Sequence, residues 1–173
     1  MKKITTITLI IFSSVVQSQN FKEEKLKTNR KQMEDKIALK ELVDKFSILA
    51  DSKEVDKQIL LFTENATVES FINGQSTGIL SGRKQIGEAF LNFLNLFEVV
   101  YHLNGQQIVA INGNTATGTS YCLVTLIGLE NGKKMKTSFG IYYNDAYEKQ
   151  GNLWLIAKRK STFAWQDKVE LKN

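Results

Sequence analysis

The C-terminal half of the chain consists of four long runs of alternating side chains separated by three Asn/Gly-centred breaks. That pattern constrains the fold more than any other feature. The runs span roughly 99–111, 115–129, 134–147 and 153–165, and the breaks are Asn112-Gly113-Asn114, Asn131-Gly132 and Gln150-Gly151. Asn and Gly tolerate the positive φ of a tight hairpin turn, so each break predicts an antiparallel reversal. Strands this long twist and curl, and a curled meander needs a cover over its concave face.

The cover is encoded upstream. Leu39, Leu42, Val43, Phe46, Leu49 and Ala50 recur at helical spacing and form one apolar stripe that ends near Asp51. A second, short helix follows, with Asp51 or Ser52 as its N-cap and Glu54 placed to close a capping box with Asp51. It carries Val55, Ile59, Leu60 and Phe62. A hairpin then runs through a strand at about 66–71, a turn at Asn73-Gly74 and a short return strand. Ser81-Gly82 opens a third helix with Ile86, Phe90, Phe93, Leu94 and Phe97 at helical steps. The expected architecture is α+β: a cone-shaped barrel of three N-terminal helices packed on a curved, mostly antiparallel sheet. A cone of this kind leaves a cavity at its wide end.

The start, MKKITTITLIIFSSVVQSQN, reads as a signal peptide over residues 1–18. It has a Lys2-Lys3 positive region, an apolar run to Val16 and a small-residue cut after Ser18. The apolar run falls short of the ~20 residues that span a bilayer. No cysteine adjoins the cut for lipid attachment, so we expect a periplasmic or secreted product without a membrane span. Residues 19–32 read as a flexible polar lead-in, 33–167 as the domain and 168–173 as a tail. Removing Lys2 and Lys3 from 23 basic residues leaves 21 against 18 acidic, a net charge of +3. The basic side chains between Lys22 and Lys36 are interleaved with acidic ones. A nucleic-acid surface would require a coherent basic face, so nucleic acid is not an expected partner.

Cys122 is the only cysteine and His102 the only histidine. Cys122 lies in an apolar strand and reads as a small packing residue. No metal site and no cofactor are expected. In the second long strand, Ala116, Gly118, Ser120, Cys122 and Val124 share one face, opposite Thr117, Thr119, Tyr121, Leu123 and Thr125. The small residues of the first face leave room for a helix or a ligand. Arg159 is placed to pair with Asp145 across adjacent strands, or to meet an anion at the cavity mouth.

The helix, "LADSKEVDKQILLFTENATVES", the "SGRKQIGEAF" helix, the histidine-bearing strand, "INGNTATGTSY" and "YYNDAYEKQGNLWLIAKRKSTFAW" together resemble the SnoaL-like family of the nuclear transport factor 2-like superfamily. The resemblance covers about residues 33–167. It implies a conical pocket whose family members include polyketide cyclases, ketosteroid isomerase, scytalone dehydratase and non-catalytic binding proteins. It also implies that Asp51 and His102 face the cavity, as the aspartate and histidine of dehydratase-like members do. The dehydratases carry a tyrosine just before the aspartate, where this chain has Ala50. They carry a second histidine one strand on, where this chain has Ser120, Tyr121 and Cys122.

Catalytic candidates are therefore Asp51 and His102, with Tyr121 and Tyr143 as donors to a developing oxyanion. Pocket-lining candidates are Phe62, Phe90, Leu94, Ser120 and Trp154, the last also suited to the core. Three functions remain open. One is an exported binding protein for a small, mostly apolar molecule. Another is a lyase or isomerase using a His102–Asp51 acid–base pair on a polyketide- or steroid-like substrate. The third is an interaction or assembly module. Phe163 and Trp165 suit a dimer face, and a homodimer is expected.

Overall fold

The computed structural model describes residues 4–172, with side chains from residue 19 onward. The chain divides into two compact units, one up to Ile37 and one from Ala38. Helix α1 (Ile4–Asp51) occupies the first unit and enters the second. The segment 19–32, read from sequence as a flexible lead-in, is helical, and its side chains are exposed. It lacks an apolar stripe, yet it is dense in Lys, Glu and Gln, which favour helix without packing. An exposed Arg30–Glu34 pair one turn apart adds to this.

In the second unit, α1 buries Leu39, Leu42, Val43, Phe46, Leu49 and Ala50, the stripe expected from the sequence. A short helix α2 (Val55–Gln58) passes into a 3-10 turn, Ile59–Leu61. Strands β1 (Phe62–Ile72) and β2 (Gln75–Ser81) form the hairpin, and α3 (Gly82–Leu94) follows with Ser81 at its N-cap position. The meander is β3 (Val99–Asn112), β4 (Thr115–Glu130), β5 (Lys133–Gln150) and β6 (Leu153–Glu170). Phe62 thus opens a strand rather than closing a helix, and β6 runs into the segment expected as a tail. Asn73-Gly74 and Asn131-Gly132 hold φ of 50°, 76°, 52° and 77°, the left-handed values that favour this dipeptide at two-residue turns.

The six strands form one sheet in the order β2-β1-β6-β5-β4-β3. Only the β1–β6 pairing is parallel. The sheet curls without closing. Register shifts at Asn104/Gln107 between β3 and β4, and at Gly140/Ile141 between β5 and β6, add local bend. Along β4, Ala116, Ser120, Cys122, Val124 and Leu126 point inward and are buried. Two apolar clusters fill the concave side. One gathers α1 against Phe62, Ile86 and Ile156, and the other gathers Ala50 and Leu94 against Val124, Ile141 and Tyr143. No helix among the described residues is long and apolar enough to cross a membrane.

Candidate active site

Helix α1 stops where it does because of the turn that follows it. The Glu54 amide donates to the Leu49 carbonyl at 2.8 Å and the Lys53 amide to the Ala50 carbonyl at 3.0 Å, with Lys53 at φ 58°. This is the double closure of a Schellman C-cap, with lysine in the left-handed position that glycine usually fills. The Lys53 ammonium donates to the Phe97 carbonyl at 2.5 Å and ties this turn to the end of α3. Asp51 is therefore left in the last turn of α1, where its carboxylate can reach across to β3.

The sequence placed Asp51 or Ser52 as the N-cap of the second helix. In the structure Glu54 holds that position and makes no side-chain cap bond. The Asp51 carboxylate goes to His102 instead. Its Oδ1 lies 2.6 Å from His102 Nδ1, and its Oδ2 accepts the His102 backbone N–H at 3.2 Å. An ionised carboxylate only accepts, so Nδ1 carries the proton and Nε2 is left as the basic nitrogen. The His102 side chain is 8% exposed and that of Asp51 26%.

His102 lines a cavity of about 310 Å³. The walls are mainly apolar, with Phe46, Phe90, Leu94, Phe139, Ile141 and Phe163 among them. The polar groups on the lining include His102, Gln58, Tyr143 and Arg159. Burial pushes the Tyr143 hydroxyl well above the usual tyrosine range, so it stays protonated and able to donate.

The Arg159 guanidinium lies over both the Phe46 and the Tyr143 ring, its carbon 4.1 and 4.3 Å from their centroids. Its Nε and Nη2 donate to Asp145 Oδ1 and Oδ2 at 2.9 and 2.7 Å, and the Tyr147 hydroxyl donates to Asp145 Oδ2 at 2.9 Å. Burial alone would lower the Arg159 pKa, but the bidentate carboxylate outweighs it and holds the charge in place. Of the two roles open from sequence, the structure shows the ion pair with Asp145, and Arg159 also lines the cavity.

Several sequence candidates fall elsewhere. Tyr121 is 54% exposed on the convex face, its ring tilted against that of Tyr142, and cannot donate into the cavity. Ser120 is buried on the concave side but off the lining, its hydroxyl without a hydrogen-bond partner among the described residues. Phe62 stands one layer behind the wall, edge-on to Phe46 and Phe90. Trp154 belongs to the core beneath α1. Phe90, Leu94 and Tyr143 do line the cavity. The sequence reading missed Phe139 and Ile141, although their alternation with Tyr143 along β5 marks one face, and Ser161 and Phe163, which alternate with Arg159 along β6. Phe163, expected at a dimer face, lines the cavity. Nothing in the sequence marked Gln58. Among the described residues, no cluster of three or more His, Cys, Asp or Glu could hold a metal ion.

The curled sheet and its covering helices thus enclose an apolar cavity with a histidine and an arginine on its wall. The SnoaL-like domain family matches residues 31–160, and the chain belongs to that family. No curated protein sequence matches it. Among solved structures, a scytalone dehydratase candidate from Novosphingobium aromaticivorans superposes with TM-score 0.69 at 15% identity, covering 82% of this chain and 91% of that one. A hexachlorocyclohexane dehydrochlorinase (LinA, type 2) gives 0.67 at 14% identity, covering 82% and 92%. The Kfla4162 protein of Kribbella flavida gives 0.70 at 17% identity, covering 79% and 95%. Identities this low establish shared fold alone.

Proposed function

We propose that this protein is a proton-transferring lyase or isomerase acting on a small, largely apolar molecule. One observation carries the reading: the 2.6 Å Asp51–His102 contact joins a carboxylate to an imidazole that lines the cavity. Asp51 fixes the tautomer, and His102 Nε2 takes a proton from a carbon next to an electron-withdrawing group. The C–H electron pair then either expels a leaving group from the neighbouring carbon or moves into an enolate. Tyr143, on the cavity lining, is the donor for the developing anion. Such a pair supplies roughly 10²- to 10⁴-fold of rate.

A carrier without chemistry is the second reading. It is favoured by Ala50 and by the absence of a second imidazole on the wall. Export directed by residues 1–18 is part of the same proposal; residues 1–3 and the side chains of 4–18 lie outside the described residues. Pairing of two copies is proposed through the convex face, where Tyr121 and Trp165 are exposed.

Proton exchange decides between the first two readings. Small ketones and halogenated carbon acids are incubated in D₂O with wild type and with His102→Gln, and deuterium incorporation or leaving-group release is followed by NMR. The lyase or isomerase reading expects at least one compound to react about 10²-fold faster with wild type. Equal rates across the set would support the carrier.

A further inference from the structure

Two residues that line the cavity, Gln58 and Arg159, each carry one buried polar atom without a hydrogen-bond partner among the described residues, and the two atoms are chemically opposite. Gln58 is 1% exposed, and its Nε2 donates to the Phe46 carbonyl at 3.1 Å. That contact fixes which way the amide points and leaves Oε1 as an acceptor without a donor among the described residues. Arg159 commits Nε and Nη2 to Asp145 and leaves Nη1 as a donor without an acceptor among the described residues. Both side chains are organised by one residue. Gln58 holds the Phe46 carbonyl, while the Arg159 guanidinium lies over the Phe46 ring.

Buried groups of this kind are normally satisfied, because leaving them bare costs the whole of their lost hydration. A methyl group or a halogen on the guest gives Gln58 Oε1 no hydrogen bond. A carbonyl or carboxylate answers Arg159 Nη1 but repels the amide oxygen. A hydroxyl answers both, since its hydrogen is donated to Gln58 Oε1 while its oxygen accepts from Arg159 Nη1.

We infer that Gln58 and Arg159 form a hydroxyl-binding subsite, and that the cavity selects a hydroxylated member of its apolar ligand class. The inference rests on the small-molecule reading of the cavity, but it does not depend on whether His102 turns that molecule over. The bidentate Asp145 pair keeps the guanidinium from swinging, and Phe46 holds both ends of the subsite. The arrangement is therefore formed before the guest arrives, which limits the ordering cost of binding.

The test compares p-cresol with p-xylene, which differ by a hydroxyl in place of a methyl. Their dissociation constants are measured by titration calorimetry for wild type, Gln58→Leu and His102→Ala. The expected result is that Gln58→Leu lowers the preference for p-cresol over p-xylene by about 3- to 10-fold, the worth of one buried hydrogen bond. Retained p-xylene binding in that variant shows that the cavity still folds. An unchanged preference in Gln58→Leu would mean that the two atoms hold a resident water only, and would overturn the subsite. A fall in His102→Ala without one in Gln58→Leu would place the hydroxyl at His102, with the same consequence. Failure of both probes to bind wild type would contradict the pocket on which both readings stand. Because only binding is read, the acid–base proposal is judged separately by deuterium exchange.

Discussion

Asp51 grips His102 twice, with Oδ1 on the ring at 2.6 Å and Oδ2 on the backbone amide at 3.2 Å. The second contact fixes the first. A carboxylate pinned to the strand's own N–H cannot rotate away from the imidazole, so the ring is oriented by β3 and α1 together.

Asp51→Asn is nearly isosteric and keeps an oxygen for the His102 backbone amide, so the fold is expected to survive. The new amide can donate to Nδ1, which favours the other tautomer and directs an N–H into the cavity. Any proton-transfer activity found with wild type should fall by about 10²-fold or more, with little change in binding of p-xylene. Parallel rate assays and titrations check the split.

Arg159 and Asp145 are buried together, with side-chain exposures of 1% and 0%. Removing one partner strands the other charge. Asp145→Ala should destabilise the fold by about 3–5 kcal/mol, while the double replacement Asp145→Leu with Arg159→Met should recover most of that loss. Urea unfolding followed by tryptophan fluorescence measures both.

Gly140 marks a bulge where β6 comes very close. A Cβ there would run into the Trp165 indole, closest at Nε1. Gly140→Ala should displace the indole, shift its emission and cost about 1–3 kcal/mol. Adding Trp165→Ala should restore much of that stability, because the obstruction is then gone.

Burial raises the Cys122 thiol from 9.0 to about 11. Between those values the unfolded chain loses its thiol proton while the folded chain keeps it. The unfolded state then binds fewer protons, so stability falls as pH rises from about 9 to 11 and is unaffected by this group below 9. Tyr143 and Tyr147, both pushed up first by burial, extend the decline above pH 10. Unfolding free energies from pH 7 to 11 should show the slope, and Cys122→Ala should flatten its first part.

The turns and the α1 stripe were legible in the sequence because each rests on a local requirement. Asn-Gly suits left-handed φ, and an apolar face at helical spacing demands a partner. The site was legible only through the family resemblance. An aspartate at a helix end reads locally as a cap, and its true partner is 51 residues away. Strand alternation did carry one lesson left unused. Ser120 and Tyr121 are adjacent, so they cannot both face the cavity, and neither lines it. Which face turns inward depends on where the helices pack, and a single strand does not encode that. Gln58 had no signal at all, since a glutamine in a four-residue helix is ordinarily a surface residue.

The central claim is that Asp51 holds His102 with its Nδ1 protonated and its Nε2 bare on the cavity wall. Because the chain has one histidine, ¹⁵N-labelled His102 gives one pair of ring signals, recorded at a pH where the imidazole is neutral. The account predicts an Nδ1–H shifted far downfield by its short bond to Asp51 and an unprotonated Nε2. An Nε2–H beside a bare Nδ1 would contradict it, because the cavity would then face a donor and contain no base.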